Sequence, residues 1–191
     1  MAGIYIHIPF CRHKCNYCNF YSLASTRNMD QVSNAIVSEL QQRRDYLSGQ
    51  PVETIYFGGG TPSMLQVQDI EKILNAVYLN FSVAPDAEIT LEANPDDVAP
   101  GKLKAFKNSG INRLSIGMQS FRQEDLNFLS RTHTPEQVLQ CIGDAQQAGF
   151  NNLSIDLIYG IPTLTDEGWM QNLEQAFSLG IQHISAYSLT V

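Results

Sequence analysis

The sequence predicts an α/β domain whose parallel strands curl into a full or partial barrel, and three observations lead there. Six strand-like runs alternate with helical patterns along the chain: Ile4–Ile8, Glu53–Phe57, Ala87–Ala93, Asn112–Met118, Asn152–Ile158 and Gln182–Leu189. Three helical patterns end alike, at Gly110-Ile111-Asn112, Gly149-Phe150-Asn151 and Gly180-Ile181-Gln182. Glycine takes the position past a helix end and the chain enters the next strand. A recurring strand–helix unit gives parallel strands joined by right-handed crossovers. Finally, the strands alternate in polarity, whereas parallel strands covered on both faces read apolar throughout. Ile89, Leu91 and Ala93 oppose Thr90, Glu92 and Asn94; Leu114, Ile116 and Met118 oppose Ser115, Gly117 and Gln119; Leu153, Ile155 and Leu157 oppose Ser154 and Asp156. One face therefore serves the helices. The other carries Tyr5, Glu92, Gln119 and Asp156, which need polar partners once buried. A barrel interior holding a polar ligand supplies them; a half-open sheet with that face in water is the alternative.

Taken in order, the first strand alternates Ile4, Ile6 and Ile8 with Tyr5 and His7, then runs into Cys11, Cys15 and Cys18. The spacing is C-x3-C-x2-C. Three thiols cannot all pair with one another, and the remaining cysteine, Cys141, lies far away in a helical pattern. Thiolate is the soft ligand of iron–sulfur clusters, and three thiolates leave the fourth iron of a 4Fe–4S cube open to an outside ligand. A Cys3His zinc site completed by His13 is one alternative. A disulfide framework is another, although nothing like a signal peptide precedes the cysteines.

The second strand leads into Gly58-Gly59-Gly60-Thr61-Pro62, where missing side chains let backbone approach a ligand. No Gly-Lys-Ser/Thr follows, so it is not a P-loop. Ser63 stands where a dinucleotide fingerprint needs its third glycine or an alanine, and Pro62 intervenes. A plain tight turn is the alternative. Next, Ile70, Ile73, Leu74, Val77, Tyr78 and Phe81 recur on one helix face. Thr134-Pro135-Glu136-Gln137 opens a later helix with a capping box and a first-turn proline. Cys141 falls on that helix's apolar face, as a buried and inert thiol.

With 191 residues, 43% hydrophobic and 16% charged, the chain suits one domain spanning residues 1–191. Net charge is -7 and no basic cluster exceeds Arg43-Arg44, which argues against nucleic acid and anionic membrane as partners. No apolar run reaches membrane-span length. Few, clustered cysteines and no export signal predict a cytoplasmic protein, in the reducing compartment that an oxygen-sensitive cluster needs.

Several motifs in this order resemble the radical S-adenosylmethionine (SAM) oxygen-independent coproporphyrinogen III oxidase family, and within it the haem-chaperone (HemW-like) branch. They are Tyr5-Ile6-His7-Ile8-Pro9-Phe10-Cys11, Gly58-Gly59-Gly60-Thr61-Pro62-Ser63, Glu92-Ala93-Asn94-Pro95, Ser115-Ile116-Gly117-Met118-Gln119-Ser120-Phe121, Asp156-Leu157-Ile158-Tyr159-Gly160-Ile161-Pro162 and Tyr187-Ser188-Leu189-Thr190-Val191. The resemblance implies a partial (βα)6 TIM-like barrel of the radical SAM type. It implies a 4Fe–4S cluster on Cys11, Cys15 and Cys18, with SAM chelating the open iron. Tyr5, Gly59 and Glu92 would contact that SAM. Tyr17, Gly60, Thr61, Gln119, Arg131, Asp156 and Thr190 match positions that border SAM or a second SAM molecule. For Arg131 and Asp156 a barrel-mouth ion pair is the plainer alternative, and His133 is as plausible a helix-entry residue as a ligand.

The implied chemistry is the cofactor's. A flavodoxin or ferredoxin reduces the cluster, SAM is cleaved to methionine and a 5′-deoxyadenosyl radical, and the oxidases use it to turn porphyrinogen propionates into vinyls. Two departures favour the chaperone branch, with haem and a haem-acceptor protein as its partners. Phe20 stands where the oxidases carry a fourth cysteine, and only Met1-Ala2-Gly3 precedes the first strand. The chain ends at Val191, which predicts a core truncated after the sixth strand, without the family's C-terminal region and prone to associate through an uncovered last strand.

Overall fold

The computed structural model describes residues 2–190; Met1 and Val191, the last residue of the sixth motif, lie outside the described residues. The elements are β1 (Ala2–Ile8), β2 (Phe10–Cys11), β3 (Leu23–Ala24), α1 (Met29–Gln42), β4 (Val52–Gly59), α2 (Val67–Asn80), β5 (Val83–Ala93), α3 (Pro100–Asn108), β6 (Arg113–Gln119), α4 (Gln123–Phe128), α5 (Pro135–Gln147), β7 (Leu153–Tyr159), α6 (Asp166–Ser178) and β8 (His183–Ser188).

Six strands form one parallel sheet in the order β1-β4-β5-β6-β7-β8. Its two end strands do not pair with each other, so the barrel is partial. The register aligns the polar positions across the sheet: Tyr5 with Tyr56, Tyr56 with Thr90, Glu92 with Ser115, Ser115 with Ser154, and Gly117 with Asp156 and then Ser185. The opposite face is the core. Ile55, Phe57, Leu91, Leu114, Ile116 and Ile155 are buried there against Ile70, Ile73, Phe106, Val138, Ile142 and Phe150. Each such side chain contributes about 1.5–3 kcal/mol by leaving water. Thr90, Ser115 and Ser154 on the other face are buried too. Across the middle strands that face is an interior rather than a solvated surface; at the edge strand β1 it opens to water, where Tyr5, expected among the buried polar groups, is 58% exposed.

The expected helix ends are present. Gly110, Gly149 and Gly180 take φ of 106°, 90° and 66°, which a side chain rarely tolerates. Thr134 Oγ1 accepts from the Gln137 amide while the Thr134 amide donates to Gln137 Oε1, closing the capping box. Cys141 is buried, and burial pushes its thiol up to about 12.

Some local details differ from expectation. Tyr78 is exposed, and Phe81 caps α2 in extended conformation instead of continuing its apolar face. Strand β5 starts at Val83, four residues early: pairing jumps from Val83 to Glu88, passing Pro85, which has no N–H to give a ladder. The pair β2–β3 and the short α4 carry too few residues for a periodic signal.

Candidate metal and cofactor centre

The three cysteines sit on a loop closed at its base. Parallel pairs Phe10 with Leu23 and Cys11 with Ala24 join its ends, and Leu23 N donates to Pro9 O at 2.8 Å. Within the loop, Cys18 N donates to Cys15 O at 3.2 Å, turning the chain between the last two cysteines. The glycine turn lies beneath: Gly60 N donates to Ile8 O and Thr61 N to Phe10 O, at 2.8 and 2.7 Å. A Cβ at Gly60 would stand 2.5 Å from the Phe10 carbonyl oxygen, so this glycine is demanded by backbone packing.

All three thiols are free and half-buried. Among the described residues, no three His, Cys, Asp or Glu side chains converge on one ion. A tetrahedral zinc site would draw Cys11, Cys15, Cys18 and His13 to within about 2.0–2.3 Å of a single centre. A cubane asks something else, since each thiolate binds its own iron. Three thiols on one pinned loop offer that donor set.

Two sulfurs accept hydrogen bonds. Thr61 Oγ1 donates to Cys11 Sγ at 3.5 Å, and Arg131 Nη1 donates to Cys15 Sγ at 3.6 Å. Asn94 stands between the donors: its Nδ2 donates to Thr61 Oγ1 at 3.2 Å, and its Oδ1 accepts from Arg131 Nη2 at 2.8 Å. Arg131 Nη2 also reaches the Gly117 carbonyl at 2.7 Å, while its Nε is buried without a partner. Arg131 is not paired with Asp156, so the barrel-mouth ion pair is not formed. Arg12 on the cysteine loop pairs instead with buried Asp97 in the turn after β5.

Glu92 faces the glycine turn from β5. Its two oxygens accept from Tyr56 Oη at 2.8 Å and Gly59 N at 3.0 Å. Burial raises its pKa, opposed by those two hydrogen bonds and by nearby His7. Tyr5 stacks on Tyr56 at the open edge, ring centroids 6.0 Å apart. Its hydroxyl lies 3.1 Å from His7 Nδ1, and His7 Nε2 lies 3.2 Å from the Tyr21 carbonyl. That carbonyl can only accept, so Nε2 carries a proton; in the neutral ring Nδ1 then accepts from the Tyr5 hydroxyl, and in the charged ring Nδ1 donates to it. The His7 ring also packs on Gly59, where a Cβ would meet it at 2.7 Å.

Asp156 shares this interior. Burial, then the charge of Glu92, pushes it up to about 6. Gln119 is buried with φ 72° at a bulge that shifts the β6–β7 register. His133 donates from Nε2 to Met118 O at 3.1 Å; burial and Arg131 push it down to about 4, which keeps it neutral. Through Nε2 it braces the bulge, and its Nδ1 is buried without a partner. Tyr17 packs against Leu129, Ile158 and Ile161.

The strand C-termini thus bring together Cys11, Cys15, Gly59, Gly60, Thr61, Glu92 and Arg131 through direct bonds, with Cys18 and Tyr17 on the same loop and Gln119 and Asp156 on the same face. Thr190 stands apart, exposed beyond β8. Sequence reasoning missed Asn94, Tyr56, His7 and Asp97 as site residues. Asn94, Tyr56 and His7 had a signal, because each occupies the polar phase of its strand.

This constellation on this sheet places the chain among known proteins. The radical SAM superfamily model matches residues 5–176, and the chain belongs to that superfamily. Within it, the chain is 38% identical to heme chaperone HemW of Synechocystis, over 100% of this chain and 47% of that protein. It is 37% identical to heme chaperone HemW of Escherichia coli, over 99% and 50%. Coproporphyrinogen III oxidase (HemN) from Escherichia coli, a radical SAM enzyme, superposes with a TM-score of 0.89 at 30% identity, over 98% of this chain and 44% of that one. The chain spans about half the length of the curated relatives it matches.

Proposed function

We propose that residues 1–191 are a radical SAM core that holds a 4Fe–4S cluster on Cys11, Cys15 and Cys18 with SAM beside it, serving a haem-chaperone-like protein. The observation that carries this reading is the pinned cysteine loop, two of whose sulfurs are hydrogen-bonded, next to a carboxylate seated on a glycine turn. When bound, the cluster and SAM supply one-electron cleavage of a sulfonium bond. The chain's own residues bind and orient. Glu92 uses two of about four lone-pair sites on Tyr56 and Gly59, leaving the rest to accept an ammonium group. Tyr5 and Gly59 flank it. Tyr17, Gly60, Thr61, Gln119, Arg131, Asp156 and Thr190 would border SAM or a second SAM molecule. The similarity to proteins named heme chaperone supports haem as cargo. An electron donor of the flavodoxin or ferredoxin class and a haem-accepting protein complete the proposal.

The structural likeness to HemN favours a second reading, porphyrinogen oxidation. Against it, Phe20 fills the place of the fourth cysteine and is exposed on the cysteine loop. Anaerobic reconstitution with iron and sulfide tests the core claim: about four irons per chain and broad visible absorption are expected, both lost in Cys15→Ala. Retention of zinc alone would sink it. Reduced protein supplied with SAM should release 5′-deoxyadenosine. A Soret shift on haem titration without vinyl products from coproporphyrinogen III selects the chaperone, and the converse selects the oxidase.

A further inference from the structure

We infer that Asn94 is a positioning residue whose amide links the donors on two cluster sulfurs and so sets the cluster's reduction potential; this rests on the cluster reading above. A continuous path of hydrogen bonds runs from one cysteine to the other. Cys11 Sγ accepts from Thr61 Oγ1; Thr61 Oγ1 accepts from Asn94 Nδ2; Asn94 Oδ1 accepts from Arg131 Nη2; and Arg131 Nη1 donates to Cys15 Sγ. Direction matters here. A threonine hydroxyl has one proton. Asn94 presents Nδ2 to the Thr61 oxygen, a group that can only donate, so it leaves that proton to the sulfur. Its Oδ1 in turn, with the Gly117 carbonyl, fixes the guanidinium so that Nη1 faces Cys15. The amide itself is oriented by Asp97, whose Oδ2 lies 3.5 Å from the same Nδ2. Asn94 touches neither sulfur. An aspartate there would accept from both neighbours and draw the Thr61 proton away from Cys11.

Hydrogen bonds to cluster sulfurs are among the levers that set reduction potential. They stabilise the more negative, reduced state in a site of low dielectric, and the buried Arg131 charge acts in the same direction. With both donors held, the cluster is easier to reduce than an unassisted one.

The test measures midpoint potentials without SAM, following the reduced cluster by electron paramagnetic resonance, with iron content determined in parallel. Thr61→Val should shift the midpoint negative, changing the reduced-to-oxidised ratio at a fixed potential by roughly three- to tenfold. Thr61→Ser should restore it. Asn94→Leu should also shift it negative, and the double variant Thr61→Val/Asn94→Leu should shift it by less than the sum of the two, because the residues act through one path. Loss of cluster in Thr61→Val with retention in Thr61→Ser supports the same role, since the hydroxyl is then needed to hold the sulfur. An unchanged midpoint in Thr61→Val, equal behaviour of the Val and Ser variants, or strictly additive shifts would overturn the inference. A wild-type chain that takes up no iron overturns the cluster reading itself, which separates the two failures.

Discussion

A methyl group at Gly60 would lie 2.5 Å from the Phe10 carbonyl oxygen and 2.9 Å from its carbonyl carbon and amide nitrogen. These are backbone atoms at the root of the cysteine loop, so no side chain can swing away to make room. Gly60→Ala must therefore push the glycine turn and the loop apart, at a cost of about 1–3 kcal/mol. A lower melting temperature and reduced iron uptake are the expected readouts; an unchanged iron stoichiometry would contradict the close packing. Charge is the other constraint at this scale. Asp156 moves from the ordinary carboxyl range near 3.9 to about 6, because burial and Glu92 both disfavour its ionised form. The fold then binds the proton more tightly than the unfolded chain. Its stabilising contribution is full below about pH 4 and is lost as pH rises to about 6. Above that, burying the charge costs about 3 kcal/mol. Asp156→Asn should gain stability at neutral pH by up to that amount and flatten the slope between pH 4 and 6 in chemical denaturation. Two carboxylates on one interior face are a poor arrangement for an empty protein and a good one for a cationic ligand, which supports the sulfonium cofactor.

At the scale of elements, the loop after β6 shows how a connection can be as well determined as a strand. Ser120 Oγ donates to Asp125 Oδ2 at 2.7 Å, Asn172 of α6 donates to Ser120 Oγ and accepts from Phe121 N at 3.0 Å, and Thr163 Oγ1 donates to Asp125 Oδ1 at 2.6 Å. Asp125 and Asn172 are buried, so every partner lost is a polar group stranded away from water. Asn172→Leu should cost about 2–3 kcal/mol in denaturant unfolding while leaving iron uptake intact, because this lock lies outside the sulfur network. Ser120 and Phe121 lie in a motif, but nothing in the sequence distinguished Asp125, Thr163 or Asn172, since a long-range polar lock has no period. The strands were legible for the opposite reason: Ile89, Leu91 and Ala93 against Thr90, Glu92 and Asn94 is a period-two signal that only one packing satisfies. Glycine at 110, 149 and 180 was legible because a left-handed φ leaves few substitutes. The site divides the same way. Cys11, Cys15 and Cys18 announce themselves by spacing, and Glu92 and Asp156 by strand phase. The roles of Asn94 and His7 depend on neighbours 33 and 14 residues away, at Thr61 and Tyr21, and appear only once the chain is folded.

Across the whole molecule, the cysteine loop is where the fold meets the rest of the sheet. It is tied to β1 through His7 and Tyr21, to the glycine turn through Gly60 and Thr61, to the turn after β5 through Arg12 and Asp97, and to the segment before α5 through Arg131. Little hydrophobic burial holds it beyond Phe10 and Tyr17, however: Phe20 and Tyr21 are exposed. Such a segment opens at a lower free energy than the core that carries it. A ligand that needs all three thiols at once binds the closed loop and not the open one, so loading the cluster must stabilise the closed state by RT ln(1 + [L]/Kd), about 4 kcal/mol at a thousandfold excess over Kd. Hydrogen exchange should therefore show residues 11–24 as the fastest-exchanging structured segment in the metal-free chain and markedly slowed after anaerobic reconstitution. The core strands β5, β6 and β7 should change little. Removing iron with a chelator should return the loop to its starting rate and lower the melting temperature in the same sample. Equal protection of residues 11–24 with and without iron would mean that the thiols are not what holds the loop closed, and the cluster would have to be sought elsewhere on the chain.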